Sequence, residues 1–457
     1  MKKLLLILLI SLISFAALAA NLLPGQVVTG KMGTLTVKRW LTPQGMPVLF
    51  APSHELPMVD IRLVFDAGAA RDQYRYAGVA KLTNTLMYEG SKHLSADELA
   101  KTFENLGSQY GNGSYRDMAV LDFRTLSEPK VLNKTIETIN FLLKDPLFDQ
   151  KVLRREINKL KVAIELGKQN PSSVAGKAFF KALYDYSEKM DENKHPYANQ
   201  PEGTLESLSL IKRQHLLDFY QKYYVAQNAI LAIVGDMTIE QAKEVANQFA
   251  SQLPQGKHAP QLPVVRKNIF EQSISIEHDS TQSTIIVGQA ASKRGDPDYY
   301  ALYVGNHILG GSGFSSRLVK DIRVKHGLTY GVSSIFSQMR EKGPFRISLT
   351  TKNESTQEAV KLVRENLRQF MEQGPTEEEL KEAKLNISGS FPLRTSSNQQ
   401  INEHLAVIGF YGLPLDYLDK FKREIEYVNQ EDIQYAFKRH IDIDKLITVI
   451  VGKQKSH

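Results

Sequence analysis

Two apolar runs in this chain, NAILAIVGD at 228–236 and KLITVIVGK at 445–453, both finish on Ile-Val-Gly, 217 residues apart. Each follows a stretch with the apolar spacing of an amphipathic helix, KRQHLLDFYQKYY in the first case and NQEDIQYAFKRH in the second. Earlier in each half, LVFDAGAA (63–70) answers TIIVGQAA (284–291) at an offset of 221. Between these landmarks DPLFDQKVLRREINKLK answers GPTEEELKEAKLN, each a turn and a capping Asp or Thr ahead of a charged amphipathic helix. Three matches in one order at a nearly constant offset read as an internal duplication, so the fold of one half must be one that the other can repeat. Strand-like and helix-like segments mix in both halves, with neighbouring strands able to form hairpins. That pattern predicts an α+β chain of two homologous α/β-roll domains, helices packed on a mixed, largely antiparallel sheet.

At 457 residues the chain is too long for one ordinary core, which agrees with two domains, 20–252 and 269–457. LPQGKHAPQLPVVRKN (253–268), with three prolines and a glycine, is expected to be an exposed linker between them. The first 19 residues belong to neither domain. A basic start (Lys2, Lys3), an apolar run and the small-x-small Ala17-Leu18-Ala19 spell a secretory signal peptide, the alternative being an uncleaved membrane anchor. The anchor reading suffers from the shortness of the run. An exported and soluble mature protein follows, and without cysteine in the chain it has no disulfides, no thiolate metal site and no cysteine nucleophile. Removing Lys2 and Lys3 from the 57 Lys and Arg leaves 55 against 50 Asp and Glu, spread along the chain, which gives nucleic-acid binding little support.

In AGVAKLTNTLMYEGS (77–91), Val79, Leu82 and Leu86 mark a buried helical face, and Lys81, Asn84 and Thr85 stack on another. The trio is either a solvated surface, a site, or the place of a site whose residues have changed. Counting on from the paired strands, 79–86 corresponds to LYVGNHIL (302–309), which runs into the glycine-rich GGSGFSSRL. Gly310, Gly311 and Gly313 there do not make a phosphate loop, since the Lys-Ser/Thr is missing and the stretch follows a helix pattern. Such glycines suit close approach of a peptide or a flexible rim. No two of the 11 histidines are four apart. His195 and His326 therefore read as loop or surface residues rather than ligands.

GGSGFSSRLVKDIRVKHGLTYGVSS (310–334) and HPYANQPEGTLESLSLIKRQHLLDFYQKYYVAQNAILAIVGD (195–236) closely resemble the pitrilysin/insulinase family of zinc metallopeptidases, and the resemblance extends over the mature chain, duplication included. In active members the helix matching 78–89 carries His-x-x-Glu-His, two imidazoles for zinc and a carboxylate base. Lys81, Asn84 and Thr85 stand in those three places, a cation and two groups that replace neither ligand nor base. The family's third ligand finds its nearest counterpart in Glu156. The resemblance thus implies a degenerate zinc site and no metal bound by this chain. It also implies that Arg323 and Tyr330, seven residues apart as in the peptide-cutting members, point at a substrate carbonyl, where a guanidinium and a phenol suit an oxyanion.

By resemblance to the bacterial two-chain type, the chain is a half-clamshell, the noncatalytic subunit of an exported, periplasmic heterodimeric zinc endopeptidase. Its partner is a paralogous subunit carrying the zinc, and Arg323 and Tyr330 serve that site in trans. The substrate is an unfolded peptide, contacted by Gly310, Gly311, Gly313, Phe314 and Ser315 and bound by strand addition. The alternative is a scaffold or peptide-binding protein of the same fold without proteolysis. A stand-alone hydrolase lacks support, since there is no Gly-x-Ser-x-Gly elbow and no cysteine.

Overall fold

The structure, a computed structural model, describes residues 25–32, 35–186, 194–268 and 270–453. The proposed signal peptide lies outside the described residues. The first half runs β1 (Val28–Met32), β2 (Leu35–Leu41), β3 (Pro47–Pro52), β4 (Met58–Phe65), α1 (Val79–Leu86), α2 (Ala96–Asn105), β5 (Gln109–Ser114), β6 (Ala119–Leu126), α3 (Pro129–Lys144), α4 (Gln150–Lys168), α5 (Pro171–Tyr184), α6 (Leu205–Leu210), α7 (Arg213–Tyr223), β7 (Ala229–Gly235) and α8 (Ile239–Gln252). The second runs β8 (Gln272–Glu277), β9 (Gln282–Ala290), α9 (Tyr299–Asn306), β10 (Thr329–Phe336), β11 (Pro344–Lys352), α10 (Thr356–Gln373), α11 (Glu377–Ser390), α12 (Asn398–Tyr411), α13 (Tyr417–Tyr427), α14 (Gln430–His440) and β12 (Ile447–Gly452).

The duplication is visible strand by strand. The first sheet has the order β1-β2-β3-β7-β4-β6-β5 and the second β10-β11-β9-β12-β8, so β3-β7-β4-β6-β5 repeats as β8-β12-β9-β11-β10. In both, one pair is parallel, β3 with β7 and β8 with β12, and the remaining neighbours are antiparallel. Helices α3, α4 and α5 start at 129, 150 and 171, and α10, α11 and α12 start 227 residues later in each case. The matched caps hold as well: Asp149 accepts the amides of Lys151 and Val152, and Thr376 with Glu379 forms a capping box.

One detail of the repeat differs from the sequence reading. Val234 of β7 faces Asp60 and Val451 of β12 faces Thr284, so with the Ile-Val-Gly ends superposed Asp60 matches Thr284, an offset of 224 and not 221. The cause is that β4 and β9 are buried on both faces, which removes the period-two pattern that would fix their register in the sequence.

Burial on both faces arises from an exchange of helices. The outer face of the first sheet, with Leu49, Ala51, Val64, Ala232 and Val234, is covered by Ile401, Leu405 and Ile408 of α12 from the second half. Reciprocally, Ala175, Phe179 and Leu183 of α5 lie on Ile286, Ile447, Val449 and Val451 of the second sheet. The fit is close: a Cβ on Gly409 of α12 would sit 2.6 Å from Ile230 Cγ2 and 2.7 Å from Leu49 Cδ1. The sheets therefore divide at 253–268, but the two halves do not separate into independent packing units.

A polar joint reinforces the exchange. Asp117, at the β5–β6 turn, accepts the Tyr197 hydroxyl at 2.6 Å, the Tyr411 hydroxyl at 3.0 Å and the backbone N–H of Arg340, in the β10–β11 turn, at 2.7 Å. The expected exposed linker is only partly so. Leu253, Leu262 and Val265 are buried, Ala259 N–H donates to Asn228, and the carbonyls of Pro260 and Pro263 accept from Arg71 and His195. Leu262 and Val265 share an apolar cluster with Tyr197, which ties this segment to the joint.

Candidate functional site

Helix α1 is set in place at its N-terminus by Asp72, whose carboxylate accepts the amides of Gly78 and Ala80, both at 2.8 Å. Burial pushes the Asp72 carboxyl up to about 7, against the opposing pull of those two amides. Gly78 has φ +102°, the left-handed conformation needed to turn the chain into the helix. Val79, Leu82 and Leu86 are buried as their spacing predicts. The trio does not lie free on the other face. Asn84 is itself buried, its side-chain amide donating to the Val120 carbonyl at 3.2 Å. Its backbone carbonyl accepts from Asn112 of β5 at 2.9 Å. Lys81 is ion-paired with Glu202 at 3.3 Å, and Thr85 is half-buried. Glu156 on α4 is gripped at 2.8 Å by both Arg155 and Lys159. Burial alone would raise its carboxyl, but these two cations hold it below the usual range.

These residues do not fit zinc. Lys81 supplies a positive charge, Asn84 has spent its amide on a carbonyl, and Glu156 is already neutralised by two cations. Among the described residues a set of potential metal ligands meets elsewhere, at Asp296, Asp298 and His440. His440 Nε2 is 2.8 Å from Asp298, which also takes Arg439 at 3.2 Å. Burial opposes protonation of His440, but the two carboxylates outweigh it and raise its pKa. With Asp298 at the start of α9 and His440 at the end of α14, the set reads as an ion-paired clasp between two helices.

In the second half the matching helix, α9, continues into a π-helical turn, His307–Gly311, closed by Ser312 N–H on the His307 carbonyl. The glycines have local reasons. A Cβ on Gly310 would lie 2.6 Å from Ser334 Oγ and 2.7 Å from Leu318, and one on Gly311 2.8 Å from Asn306 Nδ2. Asn306 and Ser334 clamp this turn onto β10 with two hydrogen bonds, at 2.8 and 3.1 Å. Gly313, at φ +65°, makes the bend that presents Phe314 and Ser315 to solvent. A second π-helix, Val319–Lys325, then carries Arg323. The Arg323 guanidinium lies 4.6 Å above the Phe314 ring and, among the described residues, forms no ion pair.

Tyr330 follows at the start of β10 and is 87% exposed. The β10–β11 register shifts between Thr329 and Val332, a bulge that turns Tyr330 out of the strand's alternation. Thr329 supports it by donating to the Thr350 carbonyl at 2.7 Å and accepting the Gly331 amide at 3.1 Å. Strand β10 is an edge of its sheet, as β5 is of the first, so each half presents a strand with one side free of a strand partner beside its version of the site. His195 is a buried structural residue and not a surface one: Nδ1 accepts the Tyr197 amide, so Nε2 donates to Pro263. His326 is half-buried, with Nδ1 3.0 Å from the Asp321 carbonyl. The bulge and the two π-helices carry no pattern by which sequence reasoning could have found them.

The description "Insulinase (Peptidase family M16)" matches residues 48–191, which hold the trio. "Peptidase M16 inactive domain" matches 211–387, which hold Arg323 and Tyr330. This chain belongs to peptidase family M16. A relative in Helicobacter pylori, named "Non-peptidase homolog YmxG", is 30% identical over 426 residues, covering 90% of this chain and 92% of its own. In Bacillus subtilis the "Uncharacterized zinc protease YmxG" is 23% identical over 417 residues, 91% of this chain and 98% of its own. The crystal structure of a peptidase M16 inactive domain from Pseudomonas fluorescens superposes with a TM-score of 0.87 at 36% identity, over 92% of this chain and all of that one. The fold is shared as well by the periplasmic protease PqqL of Escherichia coli, with a TM-score of 0.75 at 15% identity, over 95% of this chain and 47% of that one. The chain is thus an M16 member of the inactive type, with one relative named as a non-peptidase homolog and another as an uncharacterized zinc protease.

Proposed function

We propose that this M16 chain is the noncatalytic subunit of an exported heterodimeric endopeptidase. It would supply Arg323 and Tyr330 in trans to a paralogous chain that holds the zinc. The observation that carries this reading is the state of the pair: Tyr330 is 87% exposed on a bulge, and Arg323 is steadied on Phe314 with no carboxylate partner among the described residues. An ion-paired arginine and a packed tyrosine would have fitted a structural role. Both side chains instead keep donors that an oxyanion can take from outside the molecule. In the proposed reaction, negative charge develops on the carbonyl oxygen of a bound peptide, and the guanidinium and phenol donate hydrogen bonds to it. The open edge of β10 suits a peptide added as a further strand, where main-chain hydrogen bonds give loose sequence preference. Export rests on the N-terminal sequence. No helix among the described residues is long and apolar enough to cross a membrane.

The second reading, a scaffold or peptide-binding protein without proteolysis, is favoured by the spent trio and by the name of the Helicobacter relative. Three samples separate the two: this chain, its zinc-bearing paralogue, and their mixture, each given an unfolded reporter peptide. Cleavage by the mixture alone supports the first reading. Equal cleavage by the paralogue alone supports the second.

A further inference from the structure

Arg116 and Arg340 occupy matching places in the two halves. Each sits in a hairpin turn next to the Asp117 joint, and each lies on a ring of the helix that its half lends to the other sheet. Arg340 is 4.4 Å from Phe410 of α12, and Arg116 is 3.9 Å from Phe180 of α5. Both also donate to backbone carbonyls, Arg340 to Phe410, and Arg116 to Tyr197 at 2.6 Å and Asn199 at 2.7 Å. They differ in one respect. Arg340 has the Asp66 carboxylate at 3.5 Å, whereas no ion pair of Arg116 exists among the described residues.

Arg116 lines an open pocket of about 370 Å³ between α4, α5 and the loop at 200–202, whose wall includes Glu202, the ion-pair partner of Lys81. The surrounding groups leave room for a negative partner. Two acidic residues approach Arg116, Asp117 and Glu202. The first is taken up by the joint, and Glu202 is bound to Lys81. Lys177, also on the wall, forms no ion pair among the described residues. Burial lowers the Arg116 pKa to about 10, which still leaves it charged at neutral pH. Its NH1 is spent on two carbonyls and its plane is fixed by Phe180, so the remaining donors are pre-oriented.

We propose that this pocket binds a carboxylate of the substrate peptide, supplied by the C-terminus or by an Asp or Glu side chain. The inference rests on the reading of a peptide substrate given above. It narrows the substrate class to chains that bring a carboxylate to this pocket.

The test is fluorescence anisotropy on the full mature chain. The probes are a labelled, unstructured acidic peptide, its C-terminally amidated form, and a form with each internal Glu replaced by Gln. Three variants accompany the wild type. Arg116→Met removes the guanidinium. Gly176→Leu puts an apolar side chain into the pocket and leaves the Arg116 residue itself in place; a Cβ at Gly176 meets nothing within 4 Å and the change favours the helix. Glu202→Gln removes the competing carboxylate. Loss of a charge-assisted contact weakens binding about 10- to 100-fold in the first two, and the third tightens it. Loss on amidation assigns the C-terminus, and loss on the Gln exchange assigns the side chain. If Gly176→Leu, folded by circular dichroism, binds as the wild type does, or if peptides without a carboxylate bind equally, or if the wild type binds none of the probes, the pocket has no such role. Cleavage by the mixture that needs Arg323 but ignores Gly176→Leu would remove this inference alone. Carboxylate-dependent binding without any cleavage would remove the proposed catalytic role and leave the pocket standing.

Discussion

Replacing Asp117 by Ala should loosen the joint between the halves more than any single surface change. The side chain is buried and accepts three hydrogen bonds, from the Tyr197 and Tyr411 hydroxyls and the Arg340 amide. A hydrogen bond to a charged group contributes about 1.5–3 kcal/mol, and a buried donor left unsatisfied costs about 1–3 kcal/mol. The Tyr197 hydroxyl keeps one partner, since it still accepts the Glu341 amide at 3.0 Å. Allowing for that and for entering water, Asp117→Ala should lose about 4 kcal/mol, a large share of a typical folding free energy. Asp117→Asn keeps the shape and one good acceptor, and should lose about 1–2 kcal/mol. Urea unfolding reads both values, and the single tryptophan adds a local probe. Trp40 is buried in the first sheet, so its fluorescence follows that half while far-ultraviolet circular dichroism follows the whole chain. The two transitions should coincide in the wild type and separate in Asp117→Ala. A loss under about 1 kcal/mol, or coincident transitions in Asp117→Ala, would show that the exchanged helices alone couple the halves.

The buried carboxyl of Asp72 gives a pH signature. With the folded pKa near 7 and the unfolded value near 4, the native state holds a proton that the unfolded chain has released, so stability falls as pH rises through that window, by about 4 kcal/mol at most. Asp72→Asn should flatten the dependence of the urea midpoint between pH 4 and pH 7, and an unchanged slope would contradict the assignment. Gly310→Ala should cost about 1–3 kcal/mol and shift the turn bearing Phe314, because its Cβ would lie 2.6 Å from Ser334 Oγ; a thermal melt matching the wild type would oppose this. Installing His-x-x-Glu-His as Lys81→His, Asn84→Glu and Thr85→His should not by itself yield stoichiometric zinc. Glu156 stays held by Arg155 and Lys159, and the carboxylate introduced by Asn84→Glu would be buried against the Val120 carbonyl. Tight, stoichiometric zinc in that triple variant after dialysis would overturn this account of the degenerate site.

The duplication was legible because its landmarks are chemical: Ile-Val-Gly strand ends, and Asp149 and Thr376 as matched caps. The register of β4 against β9 was not, since strands covered on both faces read as apolar whichever way they slide. The same is true of the exchanged helices. Nothing in the apolar faces of α5 and α12 says that each belongs on the other half's sheet, because any apolar sheet face would serve. Lys81, Asn84 and Thr85 could be placed on one helix from spacing alone, but not that Asn84 is buried and bonded to Val120. Arg323 and Tyr330 were singled out through the family resemblance, whose Arg and Tyr they match in type and separation. Their presentation depends on a π-helix and a bulge, where one extra backbone residue per turn or per ladder leaves no periodic trace. Arg116 was passed over because its meaning lies in a comparison with Arg340 that needs the two hairpins side by side.

The most direct test of the central claim is steady-state cleavage by the reconstituted pair, with Tyr330→Phe and Arg323→Ala placed in this chain. If the two side chains stabilise the oxyanion in trans, kcat falls by about 10²-fold or more for each variant while KM and the affinity between subunits stay near the wild-type values. Unchanged kcat in both variants, with the complex intact, would contradict the claim and leave this M16 chain as a scaffold.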